Sequence, residues 1–186
     1  MLKKTTAGQP FACNQFSGDT AFVSISHSRC LLAVAVSLTV PVGIDIEFHR
    51  QRNFQELASY AFGREEQAMV QNEGSPAFYK IWTVREALAK ATGINLYDFM
   101  DGRDVLKSKT NSIQLQDQNF LMSHKTVLST YSLSLVSKKI SEFATTCEAP
   151  FNLVTPAIIN ISSKLGMKSS EDITPVEIGP LSLISN

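Results

Sequence analysis

The sequence predicts an α+β fold, with short strands on either side of a helical middle. One observation is a strand at 42–47, where Ile44, Ile46 and Phe48 alternate with Asp45 and Glu47 at period two. Another is a helix over 78–91, where Phe78, Ile81, Trp82, Leu88 and Ala89 form an apolar stripe at about 100° per residue. Apolar or alternating runs at 21–26, 30–40 and 127–136 supply the remaining strands.

The whole chain sets bounds on function. Its 186 residues are enough for one domain or two small ones, and 44% hydrophobic with 18% charged residues is ordinary for a soluble protein. A formal net charge of zero provides no global field for nucleic acid, so any polyanion site must be local. No apolar run is long enough to span a bilayer, and the N-terminus lacks the apolar segment of a signal peptide. The three cysteines, Cys13, Cys30 and Cys147, are odd in number and far apart, which argues against a disulfide framework or a zinc cage. A cytoplasmic protein with reduced thiols is expected.

In chain order, residues 1–20 are polar and rich in turn formers, and read as a loop. The strand at 21–26 leads to a turn that presents Ser26, His27, Ser28 and Arg29. In the strand at 30–40, Leu31, Leu32, Val34 and Val36 are too apolar for a solvent-facing edge. Pro41 separates it from the strand at 42–47. Asn53 is a fair N-cap for a helix at 54–62. Gly63 breaks that helix, and a polar one follows at 64–72 with Glu65 and Glu66 on an exposed face. Pro76 suits the first turn of the long helix, and Thr92-Gly93 ends it. Trp82 reads as a core anchor, His49 as structural without a nameable partner, and His124 and Cys147 as unremarkable. A helical turn is expected at 96–100, and strands at 113–115, 127–136 and 151–154. The tail from 162 to 186 is polar and suggests no chemistry.

Candidate chemistry centres on Asp45 and Glu47. Alternation puts them on one face of the strand, ~7 Å apart from a rise of about 3.3 Å per residue. Packed among apolar neighbours, two such anions repel and resist desolvation, and a cation relieves both costs. Hard oxygen ligands suit magnesium, which leaves positions for water and substrate phosphates. On the long helix, Glu86 and Lys90 share one shoulder of the apolar stripe. Convergence of the two segments makes a three-carboxylate site with a lysine beside it, fitted to a pyrophosphate. The competing reading of Asp45 and Glu47 is two exposed polar positions on a half-buried strand.

These residues carry a resemblance. Gly43-Ile44-Asp45-Ile46-Glu47, followed by Trp82, Arg85, Glu86, Ala87 and Lys90 in the pattern W-x-x-[KR]-E-A-x-x-K, resembles the 4′-phosphopantetheinyl transferases of the Sfp type. Most closely it resembles the small bacterial holo-acyl-carrier-protein synthases of the AcpT kind. Ser24-Ile25-Ser26-His27-Ser28 is similar to the family's S-H-S segment, and Gly8-Gln9-Pro10 to its G-K-P segment, with Gln9 in place of the lysine. Each segment is weak alone; together, in the family's order, they are specific. The likeness runs from Gly8 to Gly93 and continues more loosely through 131–136 and 150–154.

The resemblance implies a 4′-phosphopantetheinyl transferase-like fold, with small antiparallel sheets packed on long helices in two pseudo-twofold halves and the site at their seam. It implies magnesium held by Asp45, Glu47 and Glu86, and coenzyme A contacted by Ser26, His27, Gln9 and Lys90. The implied reaction moves 4′-phosphopantetheine from coenzyme A to a serine of an acyl or peptidyl carrier protein, releasing adenosine 3′,5′-bisphosphate. Glu86 would be the base, with Asp45 and Lys90 completing the catalytic set. Arg29 would add a phosphate contact, and Arg50 and Arg52 would face the acidic carrier, unless they are ordinary solvated arginines.

Against the family pattern, the stretch before Ala21 is short. Residues 1–41 are therefore expected to be a remnant of the first pseudo-repeat, 42–160 the transferase domain, and 161–186 a polar tail. The strand at 30–40 is then expected to leave an apolar face uncovered, met by a partner or by self-association. The alternative function is a catalytically impaired paralogue that binds carrier protein or coenzyme A without turnover.

Overall fold

The computed structural model describes residues 1–6, 8–107 and 110–139, together with the backbone of 155–160 and 175–176. Strands β1 (Leu2–Lys4), β2 (Pro10–Cys13), β3 (Thr20–Ser28), β4 (Leu31–Ser37) and β5 (Val42–Phe48) come first. Helices α1 (Phe54–Ala61), α2 (Arg64–Glu73) and α3 (Ser75–Thr92) follow, then a 3-10 turn at Leu96–Phe99. Strands β6 (Ser112–Leu115), β7 (Gln118–Val127), β8 (Tyr131–Lys138), β9 (Thr155–Asn160) and β10 (Pro175–Val176) complete the described elements. They form one sheet in the order β1-β2-β3-β4-β9-β10 and another in the order β5-β8-β7-β6, with every neighbouring pair antiparallel. The α+β expectation holds.

Several local expectations need correction. The opening segment is not a loop: β1 pairs with β2, Leu2 opposite Ala12. The span 127–136 is not one strand but the end of β7, a turn and β8. Leu128 and Ser129 carry that turn at φ 50° and 58°, without the glycine or asparagine that usually signals one. Most of β7 escapes the periodicity because only Phe120, Met122 and Val127 along it are buried. Residues 151–154 and Cys147 lie outside the described residues; just beyond them, the described strand β9 joins the first sheet against β4. Of the tail after 160, only the backbone of β10 is described.

The second sheet is covered on both faces, which positions β5. On one face Val42, Ile44 and Ile46 pack with Leu31, Ala33 and Ala35 of β4 and with Leu133 and Leu135 of β8. Of β4, Leu31, Ala33 and Ala35 are buried against the second sheet, and the opposite face, Leu32, Val34 and Val36, is half-buried. On its other face, β5 meets α3. A β-carbon at Gly43 would stand 1.8 Å from the Ala87 carbonyl oxygen, so only glycine lets strand and helix come this close.

The ends of the helices follow local chemistry. The Asn53 side chain accepts from the Glu56 N–H at 3.3 Å and caps α1. Pro76 lies in the first turn of α3, and Gly93, at φ 73°, closes it by donating to the Ala89 carbonyl at 2.8 Å. Glu65 is exposed as expected, but Glu66 is not. Glu66 is fully buried, ion-paired to Arg85, and accepts from the N–H groups of Val105 at 3.0 Å and Leu106 at 2.9 Å. Packing of α2 on α3 brings these side chains together, and a single helix's polarity pattern does not record it. No described helix is long and apolar enough to cross a membrane.

Candidate active site and metal centre

The strand β5 is the edge of its sheet, so the N–H groups of Ile44, Ile46 and Phe48 need partners from elsewhere. They find them on β3. Ser24, Ser26 and Ser28 accept from these three groups at 3.0, 3.3 and 3.0 Å. The expected turn that presents Ser26, His27 and Ser28 is thus the end of a strand, with the turn at Arg29 and Cys30. Alternation sends Ser26 and Ser28 inward and leaves His27 exposed on the opposite face. Arg29 lies with its guanidinium 3.6 Å from the centre of the Phe48 ring, a cation–π contact.

Asp45 is buried, 1% exposed. Its Oδ1 accepts from Ser26 Oγ at 2.7 Å and from Lys90 Nζ at 2.7 Å, while its buried Oδ2 has no hydrogen-bond partner. Glu47 Oε2 accepts from Ser28 Oγ at 3.1 Å. From α3, Lys90 Nζ also donates to the Ile44 carbonyl at 3.2 Å and lies 3.9 Å from Glu86 Oε2. Asp45, Glu47 and Glu86 each place a carboxylate oxygen within 4.8 Å of the others. Strand alternation and one helix turn thus bring together the four side chains singled out in the sequence.

The electrostatics match this crowding. Burial pushes the Glu86 carboxyl up to about 7; Asp45 and Glu47 add to the rise and Lys90 opposes it. Glu47 is raised by burial and by Asp45, against the lowering effects of Ser28, Arg50 and Arg52. Three acids stand beside one lysine, with Asp45 buried and Glu47 and Glu86 half-buried. Hard oxygen donors with one buried oxygen unpaired are what a small divalent cation requires.

Cavities open on both sides of the cluster. A cleft of about 430 Å³ is lined by Gln9, Pro10, Glu86, Lys90, Gly93 and Asn95 among others. Gln9 donates through Nε2 to the Lys90 carbonyl at 2.7 Å, so its amide fastens the end of α3 at the cleft wall. A second hollow of about 310 Å³ is lined by Glu47, Arg52, Tyr60, Tyr79 and Trp82 among others. Arg50 and Arg52 are exposed, and Trp82 is half-buried, stacked on Phe78 with ring centres 6.2 Å apart.

Two histidines have partners that the sequence did not disclose. His49 Nε2 lies 2.9 Å from Ser132 Oγ, its ring stacks on Tyr79 at 4.6 Å, and burial lowers its pKa. His124 Nδ1 lies 3.1 Å from Ser134 Oγ, which meets Thr83 Oγ1 at 2.7 Å. Burial, Lys80 and His49 push His124 down to about 4, so it is neutral at ordinary pH. Register was the missing signal: Ser132 and Ser134 stand opposite Glu47 and Asp45, so they share the face that meets α3.

The chain is similar in sequence to known proteins of one family. The family model described as the 4′-phosphopantetheinyl transferase superfamily matches residues 41–147. The chain is 31% identical over 105 residues to the 4′-phosphopantetheinyl transferase AcpT of Salmonella typhi, covering 54% of this chain and 55% of that protein. It is 31% identical over 91 residues to the 4′-phosphopantetheinyl transferase HetI of Nostoc sp., covering 46% of this chain and 38% of the relative. It is 30% identical over 117 residues to the 4′-phosphopantetheinyl transferase gsp of Aneurinibacillus migulanus, covering 61% of this chain and 46% of the relative. The chain thus spans between 38% and 55% of the length of these relatives.

Proposed function

The chain belongs to the 4′-phosphopantetheinyl transferase superfamily, and on that premise we propose that it transfers 4′-phosphopantetheine from coenzyme A to a serine hydroxyl of an acidic carrier protein. The supporting observation is the convergence of Asp45, Glu47 and Glu86 within 4.8 Å, with Asp45 Oδ2 buried and unpaired. Magnesium fits these donors, and Asp45, Glu47 and Glu86 would hold it. When bound, it neutralises charge on pyrophosphate oxygens.

The chain's own residues account for the rest. Coenzyme A lies in the cleft walled by Gln9, Glu86 and Lys90, and His27 takes its 3′-phosphate. The carrier approaches from the hollow beside Glu47, steered by the exposed Arg50 and Arg52. Glu86 takes the proton of the carrier serine, directly or through a water. The serine oxygen bonds to the pantetheine-side phosphorus as the phosphoanhydride bond breaks, and adenosine 3′,5′-bisphosphate departs. Lys90, beside Asp45 and Glu86, offsets charge on the departing phosphate.

A second reading, binding without turnover, is favoured by one observation: Gln9 stands where the resemblance expects a lysine, and its amide is tied to the Lys90 carbonyl. Incubation of the chain with coenzyme A, magnesium and an apo carrier protein, followed by intact-mass spectrometry, separates the two. Transfer by the unaltered chain, slowed at least about 10²-fold by Glu86→Gln, is the expected result. Carrier that stays unmodified with the unaltered chain favours the binding reading, and undiminished transfer by Glu86→Gln removes Glu86 from the chemistry.

A further inference from the structure

The three serines of β3 do unequal work. Each accepts a backbone N–H from β5, but what stands just before that N–H differs. Ser24 accepts from Ile44, preceded by Gly43, which has no side chain. Ser26 accepts from Ile46, preceded by Asp45, and Ser28 from Phe48, preceded by Glu47. A hydroxyl has one proton to donate. Ser26 spends it on Asp45 Oδ1 at 2.7 Å, and Ser28 on Glu47 Oε2 at 3.1 Å. Each of these two serines therefore bridges a strand amide and the neighbouring carboxylate, which ties that carboxylate to the backbone of β5. For Asp45, the oxygen engaged is Oδ1, and Oδ2 is left unpaired in the cluster.

We infer that Ser26 and Ser28 are positioning residues that aim the Asp45 and Glu47 carboxylates at a shared divalent cation. Ser26 is 8% exposed and engaged on both sides, so it is spent inward rather than offered to a nucleotide. Groups that hydrogen-bond a metal's ligands restrict how those ligands turn, and their loss weakens metal binding by about 10–100-fold. Ser24 supplies an internal control: its removal breaks the same inter-sheet seam without releasing a carboxylate. The inference rests on the cation reading above.

The test is manganese binding, read from the free-ion signal in electron paramagnetic resonance, with no coenzyme A or carrier present. The unaltered chain is compared with Ser24→Ala, Ser26→Ala, Ser28→Ala and Ser26→Thr. Expected are manganese affinities about ten-fold weaker in Ser26→Ala and Ser28→Ala. Ser24→Ala should bind as the unaltered chain does, although its melting temperature falls with the lost seam bond, and Ser26→Thr should recover affinity through its hydroxyl. If Ser26→Ala does not fold, Ser28→Ala against Ser24→Ala carries the comparison. Equal affinity across the alanine variants, or equal weakening in all three, overturns the inference while the cation reading stands. An unaltered chain that takes up no manganese overturns both.

Discussion

Arg85 and Glu86 are neighbours on one helix, yet they enter two charge clusters of opposite character. Arg85 turns towards α2 and meets Glu66 with both side chains fully buried, one cation to one anion. Glu66 is satisfied further by the N–H groups of Gly63, Val105 and Leu106. Arg85 donates to the Arg103 carbonyl at 2.7 Å, and its guanidinium lies 4.9 Å from the centre of the Phe62 ring, with Nε and Nη1 lacking hydrogen-bond partners. Glu86 turns the other way, to Asp45 and Glu47, with Lys90 as the nearby cation. The first cluster is balanced in charge and ties α2, α3 and the 103–106 segment together. The second is short of positive charge, which suits a cation supplied from solution.

The contrast can be broken where the effect is largest. Arg85→Ala leaves Glu66 charged and buried, and is expected to cost about 3–5 kcal/mol in urea unfolding. Asp45→Asn keeps an acceptor for Ser26 and Lys90 while removing a repelling charge, and should change stability by less than about 1 kcal/mol. If the two variants are equally destabilised, the contrast fails. Magnesium sharpens it next: at a hundredfold excess over its Kd it should add about 2.7 kcal/mol to the unaltered chain, seen as a rise in Tm, and nothing to Asp45→Asn. A chelator should reverse the gain.

The pH response is smaller. Glu86 is raised from 4.5 to about 7, so between those values the folded chain holds a proton that the unfolded chain has released. Stability therefore falls as pH rises through that window, and Glu47, also raised, acts in the same direction. His49 and His124, lowered on folding, act in the opposite direction, so the Glu86 contribution is read as a difference: without cation, the unaltered chain should lose more stability than Glu86→Gln between about pH 5 and about pH 7.5, by an amount of order 2 kcal/mol. Magnesium should narrow the gap; denaturant melts with and without it measure this, and a gap of the opposite sign rejects the assignment.

What the sequence made legible were features written within single segments. The alternation of Asp45 and Glu47, the pairing of Glu86 with Lys90 along α3, the Asn53 cap and the Gly93 stop each depend on residues a few positions apart. Features that depend on which surfaces meet stayed hidden. Glu66 has the sequence surroundings of an exposed residue, and only the packing of α2 on α3 buries it against Arg85. Ser26 and Ser28 read as a turn because nothing local says that β3 lies along the free edge of β5. The β7–β8 turn was missed because Leu128 and Ser129 adopt positive φ without a residue type that announces it.

Gly43 has a bearing on how this centre tolerates change. With the Ala87 carbonyl oxygen 1.8 Å from where a methyl carbon would sit, even alanine must drive strand and helix apart at the level of Glu86. Such a variant could keep every acidic side chain and still hold them too far apart to share an ion. The reach of the acids is therefore governed in part by a position that bears no functional group, and mutagenesis confined to polar residues would pass over it.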